Sequence, residues 1–310
     1  GYSIVMTNLG NVDNQGVEIE LNTRNIERPN FTWTTNFNIG LNRSKVTDMG
    51  GNDNISLGYI GNYIKNDLTF LMLGEPHGVI RGYRTKLFND WKEVYADGAV
   101  WVEQSNSKIT TKPGMLMYKD VDGDGEITDA DKEILGHVEP NVMGGFTNTF
   151  RYKNLDLTVF FNYAMGNKVV NTNLLKLRDF RGGNNGQYKM SMESYRLWNP
   201  QTGNQGYTAS DALPVVSHVD YLNYVTDLWV EDGSYLRLKT LTLGYHFPEQ
   251  LIRHWRVGSI YTSLTAVNLL TFTKYSGMDP EMSSPLSTMG VDQSSYPASK
   301  TFLLNLNFTF

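Results

Sequence analysis

The feature that most limits what this chain can fold into is strict two-residue alternation, in runs of about ten residues that come in pairs. In GVEIELNTR (16–24), Val17, Ile19 and Leu21 share one face; Glu18, Glu20, Asn22 and Arg24 share the other. A turn with Pro29 and Asn30 follows, and residues 31–42 alternate again. Phe31, Trp33, Phe37, Ile39 and Leu41 fall on one side, with Thr35 among them; Thr32, Thr34, Asn36, Asn38 and Asn42 fall on the other. This predicts a hairpin. Its polar side carries Thr and Asn rather than the Lys and Glu of a face in bulk water, which suits a wet barrel lumen.

A second hairpin is predicted over 142–166. Phe146, Phe150 and Tyr152 alternate with Thr147, Thr149 and Arg151, and Leu155, Leu157, Val159, Phe161 and Tyr163 with Asp156, Thr158 and Asn162, about a tight turn at Lys153-Asn154. A third pair spans 234–247 and 257–273. Leu241, Leu243, Tyr245 and Phe247 share a face there, while Leu236 and Leu238 sit out of phase, which predicts a bulge near Thr240. The chain ends in FLLNLNFTF, an amphipathic strand closing on Phe310, like the assembly signal of bacterial outer-membrane barrels. The connections near 25–30, 153–154 and 248–256 are short, and those at 43–140, 167–230 and 274–298 are long. Strict alternation of short and long connections is a habit of transmembrane barrels, not of soluble sandwiches. Trp33 and Trp255 fall at short-turn ends, where an aromatic girdle would lie. The expected fold class is therefore all-β: strands of a large antiparallel transmembrane β-barrel with long extracellular loops. Seven spanning strands cannot close around unpaired edges in lipid, so further strands must come from elsewhere.

Composition agrees. Aromatic residues make up 12% and charged residues 19%, which excludes a disordered chain. The net charge of −5 and the lack of a basic stripe argue against nucleic acid as a partner. There is no cysteine, which excludes disulfide scaffolds, zinc-thiolate sites and thiol nucleophiles. A mean hydropathy of −0.37 is compatible with barrel strands, in which only alternate residues face lipid. The chain starts at Gly1 without a Met or signal peptide, which reads as a fragment or a processed chain.

Residues 120–131, DVDGDGEITDAD, match a calcium loop. Asp120, Asp122 and Asp124 stand at its first, third and fifth positions, Gly125 at the sixth, and Glu126 where a backbone carbonyl would be offered. Ile127 fills the apolar eighth position and Asp131 the twelfth. Hard oxygen ligands at this spacing converge on Ca²⁺. Aspartate at the last position is shorter than the usual glutamate, so affinity is expected to be low. MLMYK before the loop reads as a strand, and DKEIL after it as a single helical turn. The alternative is a solvated acidic turn.

Nothing else carries chemistry. His77, His137, His218, His246 and His254 form no metal pattern, the glycine-rich stretches lack a P-loop lysine, and no serine sits in a nucleophile elbow, so no enzyme is expected. Trp91, Trp101, Trp198, Trp229 and Tyr221 lie in the long connections. They could stack against sugar rings of a cargo, or pack the loops together.

Five segments together resemble the C-terminal third of SusC/RagA-type TonB-dependent transporters. They are PGMLMYKDVDGDGEITDADKEILGHVEP (113–140), YKNLDLTVFFNYAMGN (152–167), EDGSYLRLKTLTLGYHFPE (231–249), NLLTFTKYSGMDPE (268–281) and GVDQSSYPASKTFLLNLNFTF (290–310). The resemblance implies an outer-membrane barrel of about 22 strands, plugged by an N-terminal domain. It also implies a SusD-like surface lipoprotein lid, energy from the TonB complex, and glycan oligomers or peptides as cargo. The setting implied is a Bacteroidota-type outer membrane. The plug, TonB box and early strands are absent from this sequence and are expected on a separate or cleaved polypeptide. Two other readings are a soluble or surface-attached β-rich carbohydrate-binding protein with a calcium loop, and a surface adhesin.

Overall fold

The computed structural model of the protein describes residues 10–58, 67–87, 101–102, 116–174, 225–255, 257–281 and 289–310. Seven long strands form one antiparallel sheet: β1 (Asn11–Arg28), β2 (Phe31–Asp48), β3 (Val142–Tyr152), β4 (Leu155–Met165), β5 (Tyr235–His246), β6 (Ser259–Thr273) and β7 (Thr301–Thr309). Neighbours in the sheet are neighbours in the chain, so the wall is a simple up-and-down meander with β1 and β7 at its edges. Neither edge pairs with another described strand.

Register carries the sequence pattern across the wall. Leu21, Phe37, Phe146, Phe161, Leu238 and Leu270 form one row of mutual partners, and Trp33, Phe150, Leu157, Leu243, Leu264 and Leu304 another. These rows share a face open to the surroundings: Val17 is 58% and Leu304 70% exposed. A face this apolar and this exposed needs a non-aqueous neighbour. Between the two rows lie Thr23, Thr35 and Asn148, which satisfy one another. Asn148 Oδ1 accepts from the Thr35 hydroxyl at 2.7 Å and from the Trp33 indole at 2.9 Å, and Asn25 donates to Thr35 at 2.7 Å.

The expected bulge is present one residue earlier than Thr240. Pairing slips between Leu238 and Thr240 against both neighbours, leaving Lys239 out of register, and Asn268 opposite takes a left-handed φ of 54°. The slip restores Leu236 and Leu238 to the apolar face. At the Lys153-Asn154 turn Lys153 adopts φ 51° and donates its amide to Asn30 across the next strand end at 3.0 Å.

The first hairpin is longer than alternation suggests, since each strand has 18 residues. Past Leu41 the pattern lapses into Asn42-Arg43-Ser44-Lys45, yet the ladder runs on to Asn11↔Asp48. A different partner explains this. Val46 exchanges backbone bonds with Glu75 and Gly74 at 2.9 and 2.8 Å, and Ser44 donates to Glu139 at 2.5 Å. This overhang is held by protein, so it needs no apolar stripe.

That protein is a module built from all three long connections. One sheet joins strands 54–58, 69–72, 79–82 and 133–137; a second joins 85–87, 116–119 and 101–102; a third joins 230–232, 168–171 and 291–292. The last contains a parallel pairing of Val170 with Val291, from connections far apart in sequence. Leu68, Ile80, Tyr83, Val170, Trp229 and Val291 belong to one shared core. The expected helical turn at DKEIL is corrected here. A 3-10 turn covers Asp129–Asp131, but Glu133–His137 is a strand paired with 79–82, with Leu135 buried at a bulge between Ile134 and Gly136. No described helix is long and apolar enough to cross a membrane, which says nothing of strands.

If the module folds around its own core, truncating Trp229 should loosen it and spare the wall. Trp229→Ala removes a side chain that is 1% exposed, at a cost of about 3–5 kcal/mol. Hydrogen exchange should then rise at 79–82 and 168–171 and stay slow at 155–165. Equal loosening of both regions would refute separate cores.

Candidate functional site

The acidic loop leaves the strand Leu116–Lys119 and returns through Glu133–His137, so the module's sheets fix both ends. Gly123 and Gly125 take φ of 80° and 83°, which only glycine adopts freely, and the chain coils tightly around the Asp120 carboxylate. Asp120 accepts the amides of Gly123 and Gly125 at 2.6 and 2.8 Å; Asp122 accepts from Asp124 at 3.2 Å and Asp124 from Glu126 at 2.7 Å. One carboxylate oxygen each from Asp120, Asp122 and Asp124 lies within 4.8 Å of the others.

Asp131 plays a different part. It is fully buried, and its two oxygens accept the amides of Val121 and Thr128, both at 2.7 Å, tying the loop's start to its end. The Glu126 side chain is exposed, and Ile127 packs against the module core. The structure therefore brings three of the five expected acidic residues together and uses the fourth as a buttress. The Asp122 carboxyl is held above the ordinary value. The Asp124 amide bond pulls it down, but desolvation and the like charges of Asp124, Asp131 and Asp120 outweigh that pull. Among the described residues no ion pair reaches Asp120, Asp122 or Asp124. The donor set thus fits a hard divalent cation.

A second charged cluster sits where β5 and β6 enter the module, on the wall's polar face. Arg237 is 2% exposed and pairs with Asp279, and with Glu281 at 2.6 Å; it also donates to Thr271 at 3.0 Å and lies 5.4 Å from the Tyr235 ring. Asp279 also accepts the amides of Glu281 and Ala298, both at 2.9 Å. Desolvation pushes the Asp279 carboxyl up, but those two amides and the Arg237 charge together hold it below the ordinary value. Next to this clamp, Tyr275 donates to Asp292 at 2.6 Å, and burial first, then that carboxylate, drives its phenol far up. Sequence reading did not single out Arg237, Asp279, Tyr275 or Asp292. The available signal was a lone Arg at a polar-face position amid Leu and Thr, followed later by DPE.

Among the aromatic cargo candidates, Trp229 is in the module core, so the expectation that it stacks on cargo is corrected: no face of its ring is open. Trp101 lies in a two-residue strand paired with Lys119 and Tyr118. Trp91, Trp198 and Tyr221 lie outside the described residues.

A one-sided apolar meander with a folded module over its long-loop end now has known counterparts. No family model matches the chain. Over its whole length, however, it is 31% identical to TonB-dependent receptor P3 of Formosa agariphila. It is 27% identical, over 98% of its length, to TonB-dependent receptor SusC of Bacteroides thetaiotaomicron. The chain is thus similar to TonB-dependent receptors, SusC among them, over its whole length. It spans 30% of the P3 receptor and 27% of SusC. In fold it matches the solved RagAB peptide transporter with a TM-score of 0.72 over 98% of its residues, at 22% identity and 30% of that chain.

The depressed Asp279 carboxyl gives a pH prediction. Its contribution to stability is complete above the unfolded value near 3.8 and is lost as pH falls through the lower folded value. The segment 274–281 should therefore stay clamped at pH 5 and loosen only below the ordinary carboxylate range. In Asp279→Asn it should already be loose at pH 7. Protease accessibility of 274–281 across pH checks both; an onset of loosening near pH 6 would refute the assignment.

Proposed function

We propose that this chain supplies part of the barrel wall and the extracellular module of an outer-membrane importer. The observation that carries this reading is the seven-stranded wall with one apolar exposed face and two unpaired edges. Such a sheet is stable in hydrocarbon only when further strands close it. In this reading those strands, and a plug domain, come from the N-terminal part of a longer receptor; the chain spans only 30% of the P3 receptor and 27% of SusC.

The outward rows bury against lipid, and the polar rows line a wet lumen beside the plug. The long connections form the extracellular vestibule and contact a SusD-like surface lipoprotein that acts as a lid. Cargo is a glycan oligomer or a peptide; the RagAB counterpart is named for peptides. Energy comes from the TonB complex acting on the plug, and no bond in the cargo is made or broken. The setting is a Bacteroidota-type outer membrane.

The test is mass spectrometry of the native complex extracted in detergent, with peptide mapping of every co-purifying chain. A plug-bearing polypeptide and a lipoprotein should accompany these residues. A protein soluble and monodisperse without detergent would overturn the wall and favour a β-rich carbohydrate-binding protein.

Asp120, Asp122 and Asp124 hold Ca²⁺ in this reading, with the Glu126 carbonyl beside them and Asp131 bracing the loop. Bound calcium neutralises the gathered carboxylates and stiffens the vestibule. Calcium at on the order of 10⁻⁴–10⁻³ M should raise the melting temperature of the complete receptor, as for weak extracellular sites. Asp122→Ala should remove that rise without changing the calcium-free melting temperature, since Asp122 braces only the Asp124 amide. A calcium response that survives Asp122→Ala would place the ion elsewhere.

A further inference from the structure

The connection between β5 and β6 is more than a tight turn. Glu249–Ile252 forms one helical turn, and Arg253–Trp255 continues it as 3-10. Its place on the wall follows from one burial anomaly. Ile260 lies on the same face of β6 as Thr262 and Leu264, and its partner on β7 is Phe308. Leu264 is 52% and Phe308 48% exposed, yet Ile260 is only 4% exposed. Something covers the outer face at this point. The helical turn packs against β6, and its own Ile252 is 1% exposed.

The rest of the turn points away from the wall. Leu251 in the helical turn and Trp255 at the end of the 3-10 turn are 62% and 64% exposed. Arg253 and His254 are exposed beside them, and among the described residues neither makes an ion pair. Glu249 opens the turn, and Arg256 follows it in the sequence. The exposed Phe308 and Phe310 lie at the same end of the wall, where Gly258 donates to Thr309 at 2.6 Å.

We propose that residues 249–255 are an interfacial anchor, seating Leu251 and Trp255 at the hydrocarbon boundary of the membrane leaflet on the short-turn side and holding Arg253 and His254 at its phosphates. The occupant is a phospholipid leaflet. Contact with the lipid-facing wall argues for it, as does the basic charge set against anionic headgroups. An indole with an apolar body and one donor is suited to that boundary, and long basic side chains snorkel to it. This inference rests on the reading of the apolar face as lipid-facing.

The test reconstitutes the complete receptor in phosphatidylethanolamine–phosphatidylglycerol vesicles with bromine placed shallow or deep on the acyl chains. Trp255 is read as the fluorescence difference between wild type and Trp255→Phe, and Trp33, on the apolar face of the wall two residues inside the short-turn end of β2, as the difference with Trp33→Phe. Trp255 should lose intensity to bromine, and more to shallow than to deep positions. Quenching of Trp33 without Trp255 would overturn the anchor and leave the wall intact. Quenching of neither would overturn the lipid-facing wall and the anchor with it. In Arg253→Gln/His254→Gln, quenching of Trp255 should no longer increase with phosphatidylglycerol content; an unchanged increase would overturn the phosphate contact.

Discussion

Hydrocarbon offers no partner to a backbone amide or carbonyl, and the architecture follows from that constraint. Each inner strand of the wall is paired on both sides over most of its length, through registers that shift at Asn25, Thr47, Lys239 and Asn268-Leu269. The same rule governs outward side chains. Thr35, Asn25, Asn148 and Trp33 are polar groups on the apolar face, and they are tolerated because they bond one another. Only the outer edges of β1 and β7 leave the rule unmet. The wall is therefore a section whose stability depends on strands it does not itself contain.

Above the membrane the constraint inverts. Water can satisfy any backbone group, so long connections stay ordered only if they bury apolar surface of their own. These connections do so jointly: the core draws Ile80 and Leu135 from one, Val170 and Trp229 from a second, and Val291 from a third. Because no single connection owns the core, the module forms only when all the hairpins that launch it are in register. The overhang of β2 and the Arg237 clamp then fasten module to wall.

This division decides what was legible in the sequence. Period two is imposed by lipid, so all the spanning strands could be read, down to the slip that returns Leu236 and Leu238 to the apolar face. Where lipid ends, the imprint ends. Asn42 to Asp48 extend a strand without alternating, and Glu133–His137 is a strand although DKEIL reads locally as a helical turn, because tertiary pairing with 79–82 overrides local pattern. The acidic loop was legible because its geometry is local: glycines at positive φ and aspartates on alternate positions. The exception within it is Asp131, whose spacing suits a ligand but whose oxygens serve amides at both ends of the loop. The Arg237 clamp joins residues more than forty positions apart, and no spacing rule connects them.

The two charged clusters of the module differ in one respect that bears on their roles. Around Arg237 the charges are answered within the protein, by Asp279 and Glu281, with Lys239 adding a contact to Glu281 at 3.4 Å. Such a cluster has little left with which to attract a ligand, and breaking it by removing one partner leaves a buried charge uncompensated. It acts as a fastening. At Asp120, Asp122 and Asp124 the backbone amides organise the carboxylates but supply no full positive charge. Desolvation first, and then repulsion from Asp124, Asp131 and Asp120, raise the Asp122 carboxyl. Fold energy from Ile127 and Asp131 holds the loop in a shape that its own charges oppose. In the proposed reading a cation relieves that opposition, so the loop's rigidity should follow calcium concentration, while the fastening at Arg237 should not.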